Sequence, residues 1–566
     1  MLSIGPMLRA ASAGGASHAT LLTPPPSRNG STRERRARSR PSPGRARAPR
    51  VLPGGRSIDR DSGARSGGPR TFVLLLAAYA IAHTALRAWI SPILNIDDAR
   101  EAVFSQTLAW GYKPRQPPLY TWLVWAIVRL GGMRVLSLTA LKYAVLAVAY
   151  TFAYLTARRV LREPRLAPLA AFSLLLLLPV GWFVHDDLTQ SVAVLATAAA
   201  TVYVLILVEA TPTSGRYVWL GVAIALGTLS KLTYLVFGAA LGLAALTVAP
   251  YRRRLLDARA LVTLLVAAVL ILPYAVWLAS YPDDLSRFAQ QVAPGGARSF
   301  ASGVVDGLGA VLRAFAYYAG PLAIVFLALF PEVYRRRPRA AGVESPAGLL
   351  VERTLLAGLA LLGAGAFLNV LGQLKFRWAI PLFFLLPLYA CWRLDRLGIA
   401  PAHCRRLRAY AVILAAAEAL MIAGIVMQTH AGARVGMPAR LNTPFDVVGP
   451  AVTAAGFRGG TIVAGPGPLG GNMRLAFPDA RVASLETPGY LPSLEAQAVG
   501  DCLLVWDRGP ADALPDDLVA WLRTRLEVEV PTPVAIGSVT AAHRHTPTLE
   551  YRAFYVRVPH GSGRCQ

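Results

Sequence analysis

Long apolar runs recur along this chain, and no other feature limits its fold so tightly. A helix needs roughly 20 mostly apolar residues to cross a bilayer. Such runs lie near 71–90, 136–157, 166–184, 188–208, 216–230, 232–249, 260–279, 307–330, 354–372, 378–393 and 409–427. A signal peptide accounts for none of this, because the runs continue through most of the sequence. Only 16% of the 566 residues are charged and 54% are hydrophobic, whereas soluble domains carry about 25% charge. The expectation is a polytopic α-helical membrane protein with about eleven crossings.

A net charge of +27 raises the question of nucleic acid, and the location of the charge answers it. Residues 1–70 hold fourteen arginines and three acids in a Pro/Gly/Ser-rich setting, which reads as a disordered basic tail. Further arginines sit beside apolar runs: Arg158, Arg159, Arg162 and Arg165; Arg252 to Arg254; Arg335 to Arg337; and Arg405, Arg406 and Arg408. Clusters at helix ends are what the positive-inside bias produces. No nucleic-acid partner is expected; the partner is the bilayer.

The clusters also give an orientation. If the first span leaves the basic tail on the cytoplasmic side of an inner membrane, residues 91–118 form an outer loop. Within it, Asp98 to Trp110 has helical spacing and predicts an interfacial helix, which Pro117-Pro118 stops. The apolar stretch 119–130 is short for a span. Read as non-crossing, it brings the Arg158–Arg165 cluster inside, and the later spans then alternate with every major Arg cluster inside. The outer side receives the turn at 185–187, the turn near Lys231, the loop 280–305, the turn 373–377 and everything after 428. Residues 71–429 thus form the membrane domain. Over 430–566, short β-rich runs (Thr461–Ala464, Arg481–Ser484, Cys502–Trp506, Leu526–Val530) alternate with helical stretches (Pro444–Ala455, Asp516–Arg525), which predicts a small extracytoplasmic α/β domain. Cys391, Cys404, Cys502 and Cys565 are far apart and suggest neither a zinc site nor a disulfide framework.

Ionisable groups beside apolar spans are candidates for function. Asp97 and Asp98 follow the first span and could hold a divalent cation or act as a general base. They could equally cap the interfacial helix. His185, Asp186 and Asp187 interrupt two apolar runs, as a polar turn would, yet two acid pairs reaching one outward face is what a shared cavity requires. One His and two neighbouring Asp do not easily point at one ion. The chain has four lysines, Lys113, Lys142, Lys231 and Lys375, and all but Lys142 fall in outward segments. Lysine suits phosphate as a point charge, so Lys231, and Lys375 with Arg377, are candidate phosphate holders, with snorkelling at helix ends as the alternative. Gly465-Pro-Gly-Pro-Leu-Gly470 matches a dinucleotide fingerprint in form, but Pro466 and Pro468 remove donors a pyrophosphate would need.

Together, Asp97-Asp-Ala-Arg-Glu-Ala-Val-Phe-Ser-Gln-Thr-Leu-Ala-Trp-Gly-Tyr112 and Gln116-Pro-Pro-Leu-Tyr-Thr-Trp122 resemble the first outer loop of glycosyltransferase family 39. That family includes the bacterial aminoarabinose transferases of lipid A and the protein O-mannosyltransferases. The likeness extends to the acidic turn at 185–187, the Leu-Ser-Lys231 segment and the Lys-Phe-Arg377 turn, over roughly 71–430. The chain departs from the family where Asp98 replaces a usual Glu and where Arg100 and Glu101 replace aromatics.

The resemblance implies a GT-C fold and inverting transfer from a polyprenyl-phosphate sugar to an envelope acceptor. Asp97 matches the catalytic-base position and Asp98 completes the pair. Lys231 and Arg377, with Lys375, would stabilise the charge of the leaving phosphate, and Lys113 is a further substrate-binding candidate. Asp186 or Asp187 would orient acceptor or sugar, and His185 is a substrate-binding candidate beside them. No cofactor is required beyond a candidate divalent cation. Two alternatives stand beside this reading: a transporter or lipid flippase, and an inactive member of the same fold.

Overall fold

The first apolar run, opened by a proline at the first helical turn, forms α1 (Pro69–Ile90). The computed structural model describes residues 68–559 apart from 284–285, 287–289, 291–298, 336–344, 399–400, 438, 494–499 and 528–534. The basic tail lies outside the described residues except for its last three.

After α1 come two short helices, α2 (Ile96–Phe104) and α3 (Leu119–Gly131), and then the long α4 (Val135–Val160). The next run is broken. Helix α5 (Leu166–Leu176) and α6 (Pro179–Asp186) meet at 75°, because Pro179 has no amide to continue the ladder. The turn also needs Gly181, where a Cβ would lie 2.0 Å from the Leu175 carbonyl oxygen. There follow α7 (Thr189–Ala210), α8 (Ser214–Ser230), α9 (Tyr234–Thr247), α10 (Ala249–Leu255) and α11 (Ala260–Ala279). The membrane part closes with α12 (Phe300–Leu329), α13 (Pro346–Phe367), α14 (Leu386–Leu397) and α15 (Pro401–Ala431).

Seven of the described helices are long and apolar enough to cross a membrane, or nine if the α5/α6 and α9/α10 pairs each count as one. That is fewer than the eleven expected from the apolar runs. Two of those runs give short helices: α8 has 17 residues, and the run near 378–393 is divided by Pro381 and Pro387 into Ile380–Phe383 and α14. Helices α1, α4, α7, α8 and α11 pack in sequence, with α9, α12 and α13 completing the bundle. Its core is built from Tyr143, Tyr150, Leu195, Phe237 and Phe383, all essentially buried. Leu74, Ile81, Leu264 and Leu420 point outward and are exposed, as lipid-facing positions of a spanning helix require.

Beyond α15, a five-stranded sheet of order β2-β1-β3-β5-β4 is made of β1 (Gly460–Ala464), β2 (Arg481–Ser484), β3 (Asp501–Trp506), β4 (Gly537–His543) and β5 (Thr546–Val558). The first three strands are parallel, with Thr461 opposite both Arg481 and Cys502. Strand β5 runs antiparallel to β3, pairing Phe554 with Trp506, and β4 closes the edge. The helices here are α16 (Val448–Ala454), α17 (Leu469–Ala476) and α18 (Asp516–Arg525).

Strand periodicity sends alternate residues to opposite faces. Val463, Leu504 and Trp506 pack on Leu518 and Leu522 of α18. Ile462, Val482, Leu503 and Val505 pack on Val103, Phe104 and Tyr112 of the first outer loop. That loop is therefore part of the sheet's own core, and each fully buried side chain at the junction contributes roughly 1.5–3 kcal/mol.

Four expectations need correction. The interfacial helix ends at Phe104 rather than Trp110, because Tyr112 turns back and its hydroxyl donates to the Thr107 carbonyl and accepts from the Ala109 amide. The stretch 444–455 is a 3₁₀ turn over Phe445–Val447 followed by α16, not one helix. Leu526 ends α18 and Glu527 has a φ of 54°, so no strand starts there; the rest of Leu526–Val530 lies outside the described residues. Finally, Cys502 is disulfide-bonded, whereas Cys391 and Cys404 are free thiols.

Candidate active site

Asn95, not Asp97 or Asp98, caps α2: its side-chain oxygen accepts from the Ile96 amide at 2.9 Å. The two aspartates instead occupy the first turn, where negative charge complements the free N–H groups of a helix start. The cap's other atom reaches across the molecule. Asn95 Nδ2 donates to the Asp186 carbonyl at 2.8 Å and to Asp186 Oδ1 at 3.3 Å. The Asp97 amide donates to Asp187 Oδ1 at 3.0 Å, and the Leu188 amide donates back to Asp97 Oδ2 at 3.2 Å. Two acid pairs about 90 positions apart thus share one site.

The second strand of that contact is strained. Leu188 sits at φ 70° and ψ 41°, a left-handed conformation that costs a non-glycine residue roughly 1–3 kcal/mol. The surrounding hydrogen bonds hold it there, with its amide turned to Asp97. Burial, together with the like charges of Asp97 and Asp98, raises the Asp187 carboxyl well above the usual range, with Lys142 opposing. Lys142, buried on α4, is therefore a neighbour of the acid cluster that sequence reasoning set aside.

Of Arg100 and Glu101, where the chain departs from the family pattern, Arg100 binds the cluster and Glu101 binds polar residues beside it. Arg100 donates to Asp97 Oδ1 at 2.9 Å and to Glu486 Oε1, just beyond β2, at 3.1 Å. Burial works against its charge, but Asp97 and Glu486 outweigh it and raise the guanidinium's pKa. Glu101 is fully buried and accepts from Thr121 Oγ1 at 2.6 Å, Gln116 Nε2 at 2.9 Å and Gln190 Nε2 at 3.4 Å. Burial pushes its carboxyl up to about 7 against those donors. Asp98 is buried, and no hydrogen bond ties its carboxylate to a described residue.

The sheet domain is clamped onto the same loop. Asn472 of α17 accepts from the Leu94 amide at 2.8 Å and donates to the Leu94 carbonyl at 3.2 Å. The glycine-rich 465–470 turn leads into that helix, and a Cβ on the adjoining Gly471 would lie 2.2 Å from the Ala99 carbonyl oxygen. Its small residues serve close helix contact.

Of the candidate cations, two converge. Lys231, which ends α8, donates to Ser191 Oγ at 2.7 Å and to the Arg377 carbonyl at 3.5 Å. Burial, with the Arg377 charge adding to it and Asp97 opposing, lowers its ammonium to about 7. Arg377 is half-buried, and its guanidinium has no hydrogen bond or ion pair with a described residue. Lys375 is exposed and lies 5.8 Å from the Trp378 ring centre, so it does not join them. Lys113 is half-buried in a loop closed by its backbone bridge to Gln116. His185 turns away from the aspartates: its ring nitrogens bond the Tyr79 hydroxyl at 3.1 Å and the Tyr143 hydroxyl at 3.0 Å. Among the described residues no group of three His, Cys, Asp or Glu side chains could hold a metal ion.

The site is thus a carboxylate cluster within a helical bundle, joined to a small sheet through Arg100–Glu486, with Lys231 and Arg377 converging nearby. Residues 115–277 match the family model described as dolichyl-phosphate-mannose-protein mannosyltransferase. Two curated relatives are lipopolysaccharide core galacturonosyltransferases of Rhizobium johnstonii: RgtB, 31% identical over 81% of this chain and 91% of the relative, and RgtA, 30% identical over 80% and 89%. The fold matches a crystal structure of ArnT from Cupriavidus metallidurans bound to undecaprenyl phosphate, at a TM-score of 0.52 and 15% identity, over 87% of this chain and 98% of that one. The chain belongs to the family 39-like GT-C glycosyltransferases, and the transporter alternative falls with that membership.

Proposed function

We propose that this enzyme transfers a sugar, a uronic acid as in its relatives, from a polyprenyl-phosphate donor to the lipopolysaccharide core on the outer face of the inner membrane. The observation that carries the reading is the acid cluster around Asp97, whose charge acts on Lys231, with Arg377 next to Lys231. Asp97 takes the proton of an acceptor hydroxyl, whose oxygen forms the new bond to the anomeric carbon. The bond from that carbon to the phosphate oxygen breaks on the opposite side, inverting the centre, and the phosphate leaves with the electron pair. Lys231 and Arg377 stabilise the charge that develops on it. The names of the two curated relatives and the undecaprenyl phosphate of the ArnT structure support donor and acceptor class.

We place the N-terminus in the cytoplasm, residues 71–429 in the membrane with eleven crossings, and 430–566 outside. Disulfides persist in oxidising compartments. The bonded Cys502 and the free Cys391 and Cys404, the last beside an Arg cluster, support that sidedness. A second reading makes Asp98 the base, favoured because both Asp97 oxygens already accept bonds.

Replacing Asp97 by Asn should lower transfer about 10³-fold, within the usual range for a general base, with insertion and yield unchanged. The assay is mass spectrometry of the core glycan in cells lacking and re-expressing the protein. Near-normal transfer by Asp97→Asn together with loss in Asp98→Asn would move the base to Asp98. A periplasm-active reporter fused at residue 430 should be active, and silence there would reverse the topology.

A further inference from the structure

Beside Asp186 of the acid cluster, and lined by neither Lys231 nor Arg377, lies a cavity of about 260 Å³, walled by α1, α4, α6, α15 and the segment 439–441. Small-molecule pockets typically span roughly 300–1,000 Å³, so the space suits a single sugar ring. Two guanidiniums reach it, Arg87 and Arg440, against one carboxylate, Asp186. Arg87 is nine-tenths buried. It donates to the Ser91 carbonyl at 2.9 Å and to the Ile93 carbonyl at 2.6 Å. A guanidinium has five N–H donors, so three of them remain. Arg440 is exposed, and its guanidinium has no hydrogen bond or ion pair with a described residue.

The wall also carries an unmet polar atom. His83 is 1% exposed, its Nε2 bonds Glu418 at 2.6 Å, and its Nδ1 has no partner among the described residues. A buried polar atom left unpaired costs roughly 1–3 kcal/mol, and such atoms call for an explanation at a site. The cavity is mechanically joined to the chemistry. Asp186 on its wall is held by Asn95, the cap of the helix that carries Asp97.

We propose that this cavity is the acceptor subsite, in which Arg87 and Arg440 hold an oxyanion, carboxylate or phosphate, carried by the acceptor sugar. The sidedness argues for acceptor over donor. In an inverting displacement the nucleophile enters opposite the leaving group, and the cations proposed for the leaving phosphate come from the α8–α9 turn and from 377. The cavity draws its walls from α1, α4, α6 and α15 and shares Asp186 with the cluster but neither cation, so it offers the acceptor a place separate from the one proposed for the leaving phosphate. This rests on the function proposed above, so the test reads binding apart from turnover.

The full chain in nanodiscs, with no donor, is titrated with core oligosaccharide released from lipopolysaccharide, either untreated, carbodiimide-amidated or phosphatase-treated. Wild type should bind the untreated glycan, and Arg440→Ala and Arg440→Glu should weaken it at least tenfold and more. One of the two treatments should cause the same loss in wild type and none further in Arg440→Ala, naming carboxylate or phosphate. Affinity for undecaprenyl phosphate should change less than twofold in both variants. Equal glycan binding by wild type and Arg440→Glu, or loss of undecaprenyl phosphate binding instead, overturns the subsite. Arg440-dependent glycan binding without any transfer would leave the pocket standing and sink the functional reading.

Discussion

The carboxylate half of the site and its cationic half are built on opposite principles. Around Asp97 the partners are fixed: Arg100 and the Leu188 amide each donate to one of its carboxylate oxygens, and its own amide donates to Asp187. Around Lys231 the charges oppose each other, since Arg377 acts on it as a like charge and offers it only a backbone carbonyl. A group that must take a proton at a fixed point is best locked in place. A pair that must meet a newly formed anion is best left repelling until the anion arrives. The difference separates orientation from charge stabilisation within one site.

The largest consequence concerns the cations. Lys231→Met, or Arg377→Met, should cut transfer about 10²–10³-fold, as loss of a charge-stabilising donor does. Because each change also removes half of a repelling pair, thermal stability in detergent should hold or rise. A Tm that falls in step with activity would show that these residues are structural, and the contrast between the halves would fail.

Much of this was legible in the chain. Apolar runs marked α1, α4, α7 and α11, and alternating short runs marked β1 to β3 and α18. Strands β4 and β5 were missed because each has a largely exposed face, so no apolar run announces them, although their alternation was present. At the site, the two acid pairs stood out as charges among apolar residues. Asn95 could have been found as the cap, since Asn before a helical acidic turn is a strong signal. Glu486 and Lys142 could not, because only the fold brings them to residues 97–100 and 187. His185 looked like an aspartate's companion from its position, and only the neighbouring helices show two tyrosines holding its ring.

The next test loosens the locked half from outside. Glu486 steadies Arg100, which steadies Asp97. Glu486→Gln keeps the shape and weakens one charged hydrogen bond, so the turnover number should fall about tenfold while the donor KM stays within twofold, by the scale of roughly 1.5–3 kcal/mol for such bonds. Arg100→Lys should cost more, since a point charge cannot fork between two carboxylates. Equal turnover in Glu486→Gln and wild type would mean that the sheet domain serves packing alone.

Glu101 offers the finest probe, because it lies beside the locked half without touching the reacting atoms. Its carboxyl titrates at about 7 when folded, against 4.5 ordinarily. A raised acid binds its proton more tightly in the native state. Between pH 4.5 and 7 the folded form therefore holds more protons than the unfolded one, and stability declines as pH rises. The contribution is complete below about 4.5 and gone above the folded value. Wild type should accordingly lose a few degrees of Tm across that window relative to Glu101→Gln, whose amide does not titrate. The amide also faces three donors with one acceptor atom, so the variant should start from a lower Tm at pH 5 and draw level towards pH 8. Parallel Tm curves for the two proteins would show that Glu101 is ionised throughout. Thr121, Gln116 and Gln190 would then face a permanent buried charge instead of a protonated acid.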